Sequence, residues 1–276
     1  MVTQRRPRRW LWPVVTVVVL VGIGVLAAWA GWLTPGQAGP GASPSPSRTT
    51  ATPPRPDGGY DVAAGEGGTA LAADGVTHVG YDGSCKGAVQ AATNYDTFLN
   101  EGMATERWTP ESFQAVLNQI VGFDGDDPTG LRTRLVGERE QTRQLMMDTV
   151  GVLALPSIGF AHPERGGYLV RACSAEGQAV VDIVSYWDEP SDGAAITVTQ
   201  PDGSDVDISG GPIEHRISVS WFKGDWRLID WEVIPDSPAD DGNPGGPSWT
   251  NPSAEYRRAW MNNSGDPWME YTNAPR

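Results

Sequence analysis

The sequence predicts an α+β fold, with helices packed on a curved antiparallel sheet and an N-terminal transmembrane helix in front of it. Three observations predict this. Apolar side chains recur at helical spacing over residues 85–150, runs rich in Val, Ile, Trp and Tyr separated by turn residues fill 167–234, and residues 10–33 form one charge-free apolar stretch.

The apolar stretch from Trp10 to Leu33 is long enough for a bilayer core of about 30 Å, and Arg5, Arg6, Arg8 and Arg9 before it hold residues 1–9 in the cytoplasm. Trp10, Trp12, Trp29 and Trp32 lie near its two ends, where indoles favour the headgroup layer. A cleaved signal peptide is the alternative, because Ala28-Trp29-Ala30 offers an A-x-A site. Signal h-regions run about 7 to 15 residues, however, and the segment from Leu11 to Leu33 is longer and has no polar region before that site. Arg8-Arg9-Trp10-Leu11 matches a twin-arginine signal only loosely. On any of these readings the bulk of the chain is exported, and the expected location is the cell membrane, single-pass, with the C-terminal domain outside.

Residues 34–75 are rich in Pro, Ser, Thr and Gly, with Ser43-Pro44-Ser45-Pro46-Ser47 and Pro53-Pro54-Arg55-Pro56 among them, and read as a spacer. Residues 76–235 then form one domain, and 236–276 a Pro/Gly-rich tail with an aromatic segment. Without the four N-terminal arginines the chain carries 16 basic against 34 acidic residues, a formal charge of −18. Such a surface repels phosphate backbones and excludes direct nucleic-acid binding. The two cysteines, Cys85 and Cys173, both follow the apolar stretch, and in an oxidising compartment an even pair favours a structural disulfide. The alternative is Cys85 as a nucleophile, but none of His78, His162 and His215 lies in a recognisable motif with it.

The first helix starts after Ser84 as N-cap and runs from Cys85 to about Glu101, with Ala88, Ala91, Ala92, Tyr95, Phe98 and Leu99 along one stripe. Thr109-Pro110-Glu111 opens a second helix whose apolar side is Phe113, Val116, Leu117, Ile120 and Val121, and Gly122 ends it. A third stretch runs from Asp126-Asp127-Pro128 toward Val150 on Leu131, Leu135, Leu145 and Met146. Strands are predicted at 167–174, 179–187, 194–200, 214–223 and 226–234. In the last pair Ile217, Val219 and Trp221 share one face, as do Ile229, Trp231 and Val233, with Gly224-Asp225 as the hairpin turn.

Two segments carry a family resemblance: Gly87-Ala88-Val89-Gln90-Ala91-Ala92-Thr93-Asn94-Tyr95, and Trp221-Phe222-Lys223-Gly224-Asp225-Trp226-Arg227-Leu228. Together with the N-terminal anchor they resemble a membrane-anchored family of unknown function from high-GC Gram-positive bacteria, over about Val76 to Ile234. The resemblance implies a cystatin-like or nuclear-transport-factor-like cone, in which a curved sheet wraps a long first helix. It further implies kinship with the bitopic scaffold subunits of conjugation and type IV secretion machines. Cys85 before the helix and the long C-terminal tail depart from that pattern.

Cone-fold enzymes place an acidic base and a hydrogen-bond donor inside the cone, so Tyr95, Asp182, His215 and Asp230 are the interior candidates. Alternation with Val181, Ile183, Ile229 and Trp231 puts Asp182 and Asp230 on the opposite, solvated face instead. Asp124-Gly125-Asp126-Asp127 and Pro201-Asp202-Gly203-Ser204-Asp205 lack the ligand spacing of an EF-hand and read as turns. No HExxH, CxxC, GxSxG or phosphate-binding loop occurs, and neither a metal nor a cofactor is expected. Trp249, Tyr256, Trp260, Trp268 and Tyr271 in the tail call for burial, either on the domain itself through a short helix at 255–261 or on a partner. The expected function is a non-enzymatic scaffold of a conjugative or secretion-type complex, anchored in the membrane and partnered by other envelope proteins or by itself. An extracytoplasmic enzyme or small-ligand binder, and a cell-envelope sensor or cell-wall binding module, are the alternatives.

Overall fold

The computed structural model describes residues 60–276 apart from 105–106, 124–125, 128, 151–160, 175, 188–195, 200–204, 209–210, 236, 238 and 240–251. The proposed membrane helix, the cytoplasmic tail and the first part of the spacer lie outside the described residues. Among the described residues, no helix is long and apolar enough to cross a membrane.

Among the described residues, four helices and a curved four-stranded antiparallel sheet make up the framework. Helix α1 is Cys85–Ala104, α2 Pro110–Ile120, α3 Leu131–Val150 and α4 Ala254–Asn263. Short strands β1 (Ala70–Leu71) and β2 (His78–Val79) precede α1 and pair with each other. The main sheet has the order β3 (Ala161–Cys173), β4 (Gln178–Trp187), β7 (Pro212–Phe222), β8 (Asp225–Ile234), while β5 (Ile196–Thr199) and β6 (Asp205–Ile208) form a separate hairpin.

Helix starts follow the capping chemistry of the sequence. The Ser84 hydroxyl accepts from the Gly87 amide at 3.0 Å and opens α1, and the Thr109 hydroxyl accepts from Ser112 with Pro110 behind it to open α2. Helix α1 packs on the inner face of the sheet, and its alanines 88, 91 and 92 are completely buried, which lets the backbone lie close to the strands. Tyr95, Phe98 and Leu99 then fill the space, Phe98 packing against Trp108 and Phe113 at ring distances of 5.3 and 5.0 Å. From the other side, Arg139 of α3 is buried and donates to the carbonyls of Gly102 and Trp108, at 2.9 and 2.6 Å.

Cys85 and Cys173 form a disulfide with Cα atoms 6.0 Å apart, fastening the start of α1 to the end of β3. Across a separation of 88 residues the lost loop entropy stabilises the fold by about 4–5 kcal/mol in the chain-entropy picture.

Several expectations are corrected. The spacer does not extend to residue 75, since Val62, Ala64 and Ala72 are buried and residues 62 and 64 hydrogen-bond to 272 and 273. The last hairpin turns at Lys223-Gly224, not Gly224-Asp225. Both turn residues have positive φ, 49° and 85°, the type I′ geometry that matches strand twist. A register shift opposite Ser218 and Val219 leaves Ile229 as the extra residue of a bulge, so Leu228 and Trp231 point inward and Ile229 does not share their face. Asp182 faces outward as expected, yet it is buried. The C-terminal segment covers that face, with Leu169, Val184, Tyr186, Ala239, Trp260, Met261 and Trp268 forming a second apolar cluster. Of the two fates open to the aromatic tail, docking on its own domain is observed, through α4 and the residues after it.

That cover requires glycine beneath it. A Cβ on Gly167 would lie 2.3 Å from Met261 Cε, and one on Gly166 only 1.9 Å from the Val184 carbonyl oxygen. Gly166→Ala therefore lowers stability by about 3 kcal/mol, the upper range for forced overpacking, and the double variant Cys85→Ala/Cys173→Ala by about 4–5 kcal/mol. Equilibrium urea denaturation measures both.

Candidate functional site

Helix α1 is buried nearly all round, so its polar residues have to be answered from within the protein. Other elements supply partners for most of them. The Thr93 hydroxyl lies 2.9 Å from that of Tyr271 in the C-terminal segment, and the Asn94 amide donates to the Glu66 carbonyl at 3.0 Å. Glu101 pairs with Arg107 at 2.6 Å, and burial pushes its carboxyl above the usual range despite that arginine.

The densest knot centres on Asp96. Its carboxylate is completely buried and accepts from the Trp231 indole at 2.9 Å through Oδ1 and from the Ser185 hydroxyl at 3.2 Å through Oδ2. His215 Nδ1 lies 3.1 Å from the same Oδ1, and its ring stacks on Trp231 with centroids 4.5 Å apart and planes 20° off parallel. Asn100 sits 3.4 Å from that ring nitrogen. A proton on Nδ1 directed at Asp96 leaves the Nε2 lone pair facing a buried position with no protein partner among the described residues. An imidazole oriented by a carboxylate in this way is the arrangement of a histidine base and its positioning acid.

The four interior candidates separate. Tyr95 is inside, but its hydroxyl donates to the Trp226 carbonyl at 2.9 Å, next to the hairpin turn. Trp226 pairs with Trp221, six residues along β7 from His215 or about 20 Å of strand. Tyr95 and His215 therefore serve opposite ends of the interior. Asp230 is exposed and binds Arg134 of α3 at 3.0 Å, beside the β8 bulge. Asp182 belongs to the outer layer, where Arg171 reaches it at 2.6 Å and Arg216 at 2.7 and 2.9 Å. The structure thus brings only His215 of the four into a polar cluster with possible chemistry.

Asp96, Ser185, Trp231 and Asn100 were not among the candidates. One signal for Asp96 was present, because it lies four residues after Ala92 and three before Leu99, within the apolar stripe of α1. The outer face holds a further unanticipated acid. Glu214 is buried beside Val184, and its carboxyl is pushed up to about 7, first by desolvation and then by the nearby Asp182 charge.

Asp96→Ala would leave the indole of Trp231, the Ser185 hydroxyl and the His215 Nδ1–H without their acceptor. Loss of one partner from a buried charged cluster costs about 3–5 kcal/mol, against about 1 kcal/mol for Ser185→Ala. Chemical denaturation of the two variants tests this; equal losses would show that Asp96 does not organise the cluster.

No protein-family model matches the chain, and neither a curated protein nor a solved structure matches it.

Proposed function

We propose that the chain is a non-enzymatic, single-pass membrane protein whose extracytoplasmic domain is a scaffold or assembly module of an envelope complex, of the conjugative-transfer or secretion type. The observation that carries the proposal is the occupied interior. The space between α1 and the sheet is taken up by Ala88, Ala92, Tyr95, Phe98 and Leu99 against Ile183, Ile217, Val219 and Leu228, all essentially without solvent exposure. Both carboxylate oxygens of Asp96 are engaged by protein donors, as is the hydroxyl of Tyr95 with its acceptor carbonyl. Such a cluster pins a helix to a sheet.

Other features support the same reading. The curved sheet around one long helix suits a cystatin-like or nuclear-transport-factor-like cone, as the resemblance to anchored scaffold subunits implies. A disulfide suits an oxidising compartment beyond the membrane, and the basic-flanked apolar stretch suits a tether. An enzyme or small-ligand binder is the second reading, favoured by one observation, the unanswered Nε2 of His215.

Affinity purification of the full chain from native membranes under mild detergent is expected to recover other envelope subunits in fixed ratio. Recovery of an unaccompanied monomer would overturn the scaffold reading. The second reading predicts that His215→Phe abolishes binding of a captured small molecule, whereas a scaffold keeps its partners in that variant as long as the domain folds.

A further inference from the structure

The chain contains two Asp–Pro bonds, Asp127–Pro128 and Asp266–Pro267. An Asp–Pro bond carries the means of its own hydrolysis. The side-chain carboxyl reaches its own main-chain carbonyl carbon through a five-membered ring, and the departing nitrogen belongs to a tertiary amide, which is protonated more readily than a secondary one.

The two acids are held in opposite ways. At Asp127 both carboxylate oxygens are taken by the start of α3, Oδ1 accepting from the Arg132 amide and Oδ2 from the Thr133 amide, each at 3.1 Å. Attack by either oxygen there would strip a donor of its partner at the helix start.

Asp266 stands just beyond α4, where Ser264 caps the helix and Gly265, at φ 74°, turns the chain out of it. Pro267 is then the centre of a γ-turn, in which the Trp268 amide donates to the Asp266 carbonyl at 2.9 Å. The Ser264 hydroxyl donates to the Met261 carbonyl at 2.8 Å and lies 3.4 Å from that same Asp266 carbonyl oxygen. The oxygen of the Asp266–Pro267 bond thus faces one fixed N–H and one rotatable O–H, the kind of donor set that stabilises an oxyanion as it forms. Arg171 of β3, which also binds Asp182, grips Asp266 Oδ2 at 2.8 Å and leaves Oδ1 without a protein donor among the described residues. The side chain is 42% exposed, so water and protons reach it.

We propose that the chain cleaves itself at Asp266–Pro267. The neutral Asp266 carboxyl adds through Oδ1 to its own main-chain carbonyl carbon, its proton passes through solvent to the Pro267 nitrogen, and the C–N bond breaks to give a cyclic anhydride and a free secondary amine. One water then opens the anhydride, leaving Asp266 with two carboxyl groups and Pro267 as a new N-terminus. Between these events the Trp268 amide and the Ser264 hydroxyl, turned toward it, hold the negative charge on the carbonyl oxygen. Arg171 favours the ionised carboxyl and so keeps the reaction slow.

The cut leaves the fold in place. Residues 267–276 keep the two backbone bonds between Met269 and Tyr168, the Tyr271 ring in the core, the Asn273 bonds to Ala64, and the grip of Arg257 on Glu270 and on the Pro275 carbonyl. Cleavage converts a covalent part of the domain into a bound peptide, whose departure would open the position of Tyr271 beside Thr93.

Mass spectrometry tests this on the full chain, kept in detergent micelles at the lowest pH at which its near-UV circular dichroism stays native and denatured only for analysis. The folded chain is expected to yield the 267–276 peptide about tenfold faster than it is cut at Asp127–Pro128, and about tenfold faster than the same chain in urea at the same pH. Asp266→Ala abolishes the cut, and Ser264→Ala slows it about tenfold while Ser264→Thr keeps it. Equal rates at the two bonds in the folded chain, cleavage at Asp266–Pro267 no faster than in urea, or release of 267–276 from Asp266→Ala would each overturn the proposal.

Discussion

The fold depends on enclosing one helix that is not wholly apolar. Helix α1 carries Thr93, Asn94, Asp96, Asn100 and Glu101 into the interior, and a buried polar group without a partner costs more than most contacts return. Every element that surrounds α1 therefore brings a specific partner: Tyr271 from the C-terminal segment, Glu66 from the N-terminal approach, Trp231, Ser185 and His215 from three strands, Arg107 from the connection to α2. Apolar burial draws these elements together, but the polar partners choose their register. A one-residue slip of β8 would take the Trp231 indole away from Asp96 and turn its ring to the outer face. The bulge at Ile229 sets that register, so a local irregularity of one strand is coupled to a carboxylate on the central helix.

The two faces of the sheet differ in the quality of their polar satisfaction rather than in the amount of apolar surface. On the inner face nearly every buried oxygen and nitrogen of α1 has a partner. Among the described residues, the outer face puts Asp182 between two arginines but leaves Glu214 Oε2 and three donors of the C-terminal segment without a protein partner. Stability in such a domain is layered, with local opening confined to the layer that is least well paired.

Much of the architecture was readable from residue order. Capping by Ser84 and Thr109 located the starts of two helices, and runs of Val, Ile and Trp located the main strands, because those signals act within a few residues. What was missed depends on distant partners. Residues 60–75 have no apolar period and look like spacer; they are held by a backbone bond to 272 and by the side-chain amide of Asn273, about two hundred residues away. Asp182 looked solvated because alternation gives the face of a residue, not what covers it. The inner cluster was half legible. His215 was singled out on its strand, and Asp96, although set squarely in an apolar stripe, was passed over because a single acid in an otherwise apolar helix announces a buried partner without naming it.

The contact between Tyr271 and Thr93 spans 178 residues, and that between Asn273 and Ala64 spans 209. The interior thus stays incomplete until Tyr271 and Asn273 have been delivered, long after α1 has been made. Until then α1 presents a threonine hydroxyl bonded only within its own helix, to the Val89 carbonyl, and a gap where the Tyr271 ring belongs, a state that invites misfolding. The Cys85–Cys173 bond joins residues that emerge well before that point. Early oxidation would hold α1 against β3 while the segment that carries Tyr271 and Asn273 is still to arrive, making the order of thiol chemistry and chain delivery part of how this domain reaches its native state.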